Sequence, residues 1–303
     1  MKEIDFSPLH DWFIEADDGS IQRADEPYFK ARLRAPGTWQ ITTAGDYIYL
    51  VEGEKEALVI DTGNGCGNLR EMCRKLTDKP IRRAANTHEH FDHTVGNCYF
   101  DEVYMTQACK DAVTSPDYRY AYLNDLDIPR DYPIHVVSDG DIIDLGGREL
   151  EVFAVPDHAA GSMMLLDRKN RLLFSGDELG TPAYKEVRTT VEAYARNVAR
   201  LYEHIEEIDW IFGGGFVYDH MILYRQMQCL NQILKGSEAQ VYYAPKPIMP
   251  DPDPEGRMVI PRRVPNPYDF YKHKKPDTGS RRIMTYAYCS IIYEHDRVFD
   301  QKS

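Results

Sequence analysis

The stretch Thr87-His88-Glu89-His90-Phe91-Asp92-His93 decides how the rest of the chain is read. Its three histidines and one aspartate fall within six positions, and imidazole nitrogen and carboxylate oxygen are the ligands that zinc, iron and manganese prefer. His88 and His90 are two residues apart, so an extended backbone points both side chains the same way. A turn at Asp92 and His93 would let that pair reach a second ion beside the first. Upstream, Ile81 to Asn86 reads as a strand. Downstream, Gly96-Asn97 reads as a loop or short helical turn. The cluster therefore belongs at a strand end, where sheet proteins commonly place active sites.

Other stretches fall into register with this one. Val59-Ile60-Asp61-Thr62-Gly63 is a strand ending in an aspartate. Pro156-Asp157-His158-Ala159-Ala160-Gly161-Ser162 places a further histidine after a strand, and Phe174-Ser175-Gly176-Asp177 does the same for an aspartate. Together these motifs, over roughly residues 35 to 235, resemble the signature of the metallo-β-lactamase superfamily. The resemblance implies an α/β fold, a four-layer αβ/βα sandwich of the metallo-β-lactamase type. It also implies two ions, with His88, His90 and His158 on the first, Asp92 and His93 on the second, and Asp177 bridging. One mark is missing. Where the family usually supplies a histidine to the second site, this chain reads Ile211-Phe212-Gly213-Gly214-Gly215. His220, a few residues later, is the candidate to fill that role from a displaced position.

The resemblance further implies a metal-dependent hydrolase, in which a metal-activated hydroxide attacks an ester, thioester, lactone or amide carbonyl of a small molecule. Zinc, as two ions, is the expected cofactor, with iron or manganese as alternatives. Asp92 is the candidate to orient the nucleophile or carry a proton, and Tyr184, or else Tyr218, the candidate oxyanion donor. Aspartate at 177, where the best-known β-lactamases carry cysteine, favours the glyoxalase II-like and lactonase-like branch. A lone iron on His88, His158 and Asp177, like that of the persulfide dioxygenases, is the redox alternative. A non-catalytic binding protein on the same scaffold is a third.

Composition sets the bounds. The chain has 303 residues, 43% hydrophobic and 28% charged, as in an ordinary globular protein. Its 36 basic against 49 acidic residues give a net charge of −13, which speaks against nucleic acid as partner. No apolar run suggests a signal peptide or membrane span, so a cytoplasmic location is expected, with a small-molecule substrate and possible self-association. The six cysteines are scattered, and they read as reduced thiols; Cys98, close behind the metal motif, reads as a small buried residue.

Residues 1–235 are expected to form the metallo-β-lactamase-like domain, with an N-terminal extension at 1–36 and an aromatic-rich insertion at 114–134. That insertion is either a wall of the pocket or a loop pinned down by its tyrosines. Residues 236–303 are expected to be an appendage packed on the domain, proline-rich at first and ending in a strand over Ile283 to Tyr293. A Thr189-x-x-Glu192 capping box is expected to open a helix running to about Glu206. Asp219 is expected to cap another, and His135 to pack or hydrogen-bond rather than bind metal.

Overall fold

The computed structural model describes residues 2–15, 19–43, 45–118, 126–242, 254–260 and 281–301. Much of the 114–134 insertion (Tyr120, Tyr122, Leu123, Asn124, Asp125) and most of the proline-rich stretch (Pro245, Pro247, Pro250, Pro252) lie outside the described residues.

Two large sheets form the body. The first has seven strands in chain order from Lys30–Ala35 to Ile134–Val136. The second has six, five of them Ile142–Asp144, Glu149–Ala154, Met163–Asp167, Leu172–Gly176 and Trp210–Gly213, closed by Val217–Asp219. Their strands are apolar on both faces because each sheet is covered on both sides. In the first, Tyr49, Val51, Leu58 and Ile60 face the second sheet, where they meet Val152, Leu165, Phe174 and Phe212. The alternate residues Ile48, Leu50, Ala57 and Val59 turn outward, to a core shared with Leu69, Cys73, Cys109 and Val113. Met164 and Leu166 alternate likewise in the second sheet, facing Leu201, Ile222 and Leu223. Period-two alternation with helices on both outer faces is thus the four-layer αβ/βα sandwich.

Both sheets deliver their functional ends to one edge. Ala57–Ile60 runs parallel to Ile81–Ala85, and Leu172–Gly176 runs parallel to Trp210–Gly213. Asp61, His88, Asp177 and Gly214 consequently emerge from the carboxyl ends of neighbouring strands.

Three local expectations are corrected: a helix end, its cap and the terminal strand. The helix is Val191–Tyr202 and its cap is Thr190, whose Oγ1 accepts from Ala193 N at 3.1 Å. Thr189 is occupied elsewhere, its hydroxyl donating to Asp157 at 2.5 Å. The terminal strand is instead a hairpin, Arg281–Tyr286 against Cys289–Glu294. It turns at Ala287 and Tyr288, both with positive φ (51° and 60°), without the Gly, Asn or Asp that usually marks such a turn. This hairpin pairs with Lys185–Glu186 and Gln240–Val241, and Met284, Ile291 and Tyr293 pack with Val198, Leu230 and Ile233 of the two long helices. His135 pairs with Glu102 at 2.7 Å and stacks on Tyr104.

Candidate metal centre

Each cluster residue is fixed by the turn that follows its strand. Asp61 adopts φ 60°, a left-handed conformation that aspartate tolerates better than most residues. That turn aims its carboxylate at the metal motif: Thr87 N and Thr87 Oγ1 each donate to it at 2.7 Å, and His93 Nδ1 meets Oδ2 at 2.9 Å. The motif then winds into the short helix Phe91–Thr94. The His93 carbonyl accepts from Thr62 N (2.9 Å), Thr62 Oγ1 (3.1 Å) and Asn86 Nδ2 (2.8 Å). Gly176, at φ 51°, passes so close to Thr87 that a Cβ there would lie 2.3 Å from its Oγ1.

These turns converge five side chains into two overlapping groups. His88, His90 and His158 form one, and His88, His93 and Asp177 the other, each with ligand atoms within 4.8 Å of one another. Asp92 stands beside the second, its Oδ2 3.7 Å from His93 Nε2. Six of the seven metal-ligand candidates therefore meet. His220 does not. It lies beyond Val217–Asp219, a strand that runs back from the site, pairing Val217 with Phe212 near the cluster and Asp219 with Trp210 at the far end. The strand direction carries His220 away.

Gly214 stands where the family usually has its histidine. A Cβ built on it would lie 2.2 Å from Asp177 Oδ1 and 2.7 Å from His93 Cε1. The backbone itself therefore backs the second group, with Gly214 N donating to Gly176 O at 2.9 Å and Tyr47 N to Gly214 O at 2.6 Å.

The donor set fits a metal. His88 Nε2 and His93 Nε2 are buried and have no hydrogen-bond partner, although buried polar nitrogens rarely go unpaired. Both histidines have their other nitrogen engaged, with Thr87 Oγ1 and Asp61 respectively, the arrangement that orients an imidazole toward a cation. His158 Nε2 and His90 Nδ1 face each other at 3.0 Å, a contact that a shared cation would resolve. Burial holds His88 and His90 below the usual histidine range and pushes His158 down to about 3, which keeps these rings neutral and free to ligate. Asp177 is held ionised: packing opposes its charge, but the adjacent His93, whose own range is raised despite burial by Asp61, Asp92 and Asp177, outweighs it.

Behind the cluster lies a network that shows in the sequence only as isolated charged letters. The buried Lys185 ammonium is 2.6 Å from Asp157 Oδ2 and 3.6 Å from Glu178 Oε1. Glu178 in turn accepts from His158 N at 2.9 Å, and burial pushes its carboxyl up to about 7. Glu89 spans the two metal loops by accepting from Gly161 N at 3.0 Å. From the insertion, Tyr118 bonds the Glu89 carbonyl and Thr94 Oγ1, and Tyr132 accepts from Asn97 Nδ2 at 3.1 Å. Its described ends are thus pinned to the metal loop. Of the two candidate tyrosines for the oxyanion, Tyr218 spends its proton on Gly180 O at 2.6 Å. Tyr184 is half-buried on the loop after Asp177, with its carbonyl accepting from Thr181 N at 2.9 Å.

Residues 43–244 match the profile of the metallo-β-lactamase superfamily. The chain belongs to that superfamily. Among characterised relatives, it is 34% identical over 158 residues to a human acyl-coenzyme A thioesterase, MBLAC2, covering 43% of this chain and 57% of that protein. It is 28% identical over 200 residues to a hydroxyacylglutathione hydrolase of Francisella philomiragia, covering 65% and 71%. The chain thus spans little more than half the length of the thioesterase. Among solved structures, a metallo-β-lactamase from Erythrobacter litoralis superposes with a TM-score of 0.52 at 14% identity, over 67% of this chain and 96% of that one. One from Cronobacter sakazakii gives 0.52 at 20%, over 70% and 95%. At these identities the structures speak for the fold. Among the described residues, no helix is long and apolar enough to cross a membrane.

Proposed function

We propose that the chain is a metal-dependent hydrolase of a small-molecule acyl compound, with thioesters the favoured class among esters, thioesters, lactones and amides. The observation that carries this reading is the pair of buried, unpartnered nitrogens, His88 Nε2 and His93 Nε2, aimed at one space with the anionic Asp177. The two relatives support the thioester preference, since their names describe acyl groups on coenzyme A and on glutathione.

In this reading His88, His90 and His158 would hold one zinc ion and Asp92 and His93 a second, with Asp177 available to either. A divalent ion at such a site supplies Lewis acidity and a water whose pKa falls from about 15.7 to near 7. The chain's own residues do the rest. Asp61 fixes the His93 tautomer, Glu178 holds the His158 loop, and the partly exposed Asp92 is placed to orient water and carry a proton to the leaving group. Tyr184, on the loop after Asp177, is the proposed oxyanion donor. The second site has no side chain from Gly214, so an ion there would be the more weakly held of the two.

Elemental analysis of untagged protein, paired with an acyl-thioester hydrolysis panel, tests the reading. Two zinc ions, one lost first on dialysis, with turnover abolished by a chelator, are expected. A single iron accompanied by dioxygen uptake would favour the redox alternative. Failure to take up any metal after reconstitution would overturn the enzyme reading.

A further inference from the structure

The rim of the metal centre carries a cation that the described residues leave unneutralised. Arg188 is exposed, and its Nη1 donates to the His158 carbonyl at 2.8 Å. Among the described residues it forms no ion pair, in a chain of net charge −13. The nearby carboxylates are already committed. Asp157 takes the Lys185 ammonium, the Thr189 hydroxyl and the Arg188 backbone N–H. Glu178 takes His158 N, and Asp177 belongs to the ligand set.

The arginine is also held in place. Its own backbone N donates to Asp157 Oδ1 at 3.1 Å, and Val187 N, one residue earlier, donates to Ile292 O at 2.8 Å. Lys185–Glu186 runs parallel to Cys289–Glu294 of the terminal hairpin, and Arg297 Nη1 reaches Arg188 O at 3.4 Å. The C-terminal hairpin thereby braces the strand that presents Arg188 to the site. Guanidinium is the side chain best shaped to grip a carboxylate or phosphate through paired N–H donors.

We propose that Arg188 makes the site selective for anionic substrates, its guanidinium receiving a carboxylate or phosphate carried by the molecule whose acyl bond lies at the metal cluster. The proposal rests on the hydrolase reading only for the bond that is cleaved. Recognition of the anion is a property of binding and is tested as such.

The test uses three small thiols on the full-length, zinc-reconstituted protein by calorimetry: 3-mercaptopropionate, 2-mercaptoethylphosphonate and the neutral 3-mercaptopropan-1-ol. The wild type is expected to bind at least one anionic thiol about tenfold or more tighter than the alcohol, roughly what one charge-assisted contact contributes. The tighter of the two anions identifies the oxyanion. Arg188→Gln is expected to erase the preference while leaving zinc content and affinity for the alcohol unchanged, and Arg188→Lys to keep part of it. A purely structural role, bracing the His158 loop, would instead weaken all three thiols and lower zinc content together. That result overturns the proposal, as does an equal anion preference in wild type and Arg188→Gln. Thioester turnover is measured in parallel. Its absence would sink the hydrolase reading while the thiol ratios still decide the role of Arg188.

Discussion

The two halves of the metal cluster are built differently. The half formed by His88, His90 and His158 is all imidazole, and His90 and His158 are only half-buried. The half formed by His88, His93 and Asp177 is held more tightly by the chain: His93 is 1% exposed, tied to Asp61 through its ring and to Thr62 and Asn86 through its carbonyl. Yet this braced half is the one without the family's usual additional histidine, because Gly214 contributes backbone where a side chain would collide with Asp177. One half is all imidazole and open, the other mixed in donors and rich in support. Pre-organisation and ligand type are separate contributions to affinity, and here they are divided between neighbouring donor groups.

His88 belongs to both groups, so its removal breaks the comparison altogether. His88→Ala is expected to empty the first site, loosen the second beside it, and lower kcat/KM by about a thousandfold or more, the loss expected when groups that act as a unit lose a metal. Elemental analysis and circular dichroism together check it. An unfolded variant would be uninformative about ligation, so His88→Gln, which keeps the volume, is measured alongside. Retention of two ions in a folded His88→Gln protein would refute the shared role.

Asp61→Asn separates support from ligation. Asparagine accepts the left-handed backbone at this position but no longer offers a charged acceptor to His93 Nδ1. About a 10- to 100-fold weaker second ion is expected, with the first unchanged, since this is the usual consequence of removing such an orienting group. A zinc titration with a competing chelator reads both constants. Equal weakening of the two would mean that Asp61 organises the whole cluster.

Gly214→Ala probes the side lacking that histidine with a smaller push. The added methyl must displace Asp177 Oδ1 from 2.2 Å and His93 Cε1 from 2.7 Å, both side-chain atoms rather than backbone, so the fold is expected to survive with a loss of about 1–3 kcal/mol. Thermal unfolding of metal-free protein measures that loss, and the zinc titration is expected to show about a tenfold weaker second ion. An unchanged second constant would show that Asp177 does not contribute to it.

The sandwich and the ligand-bearing loops are legible in the sequence because they rest on local signals: period-two apolar strands, turn residues, and histidines at fixed offsets from a strand end. His220 misleads because chain distance says nothing about strand direction; six residues after Gly214 the chain has already crossed to the opposite edge of the sheet. The terminal hairpin reads as one strand because its turn, Ala287-Tyr288, lacks glycine and asparagine. Asp157, Glu178, Lys185 and Arg188 give no warning for a different reason. They meet only when the loop after Asp177 folds back under the His158 loop, a tertiary event with no periodicity to read.

The smallest expected effect concerns two buried thiols, one behind each half. Cys98 lies in the short turn Val95–Tyr99 that follows His93, and Cys109 packs beneath Gly161 in the His158 loop. Burial pushes the Cys98 thiol up to about 12 and holds Cys109 well above its ordinary range. A raised thiol pKa keeps the neutral form, so at pH 8 the reactive thiolate of Cys98 is on the order of one molecule in ten thousand. Both thiols are therefore expected to resist iodoacetamide in the native protein, with mass spectrometry of the digest as readout. The comparison is sharpened by repeating the labelling after chelation. Because hydrogen bonds from Thr62 and Asn86 hold the His93 turn without help from a metal, Cys98 is expected to stay unreactive. The His158 loop is tied through Glu178, Glu89, Thr106 and Arg188, but its histidine is only half-buried where His93 is fully buried, so any increase should appear first at Cys109. Labelling of Cys98 ahead of Cys109 would reverse the assignment and make the metal, rather than the chain, the organiser of the braced half.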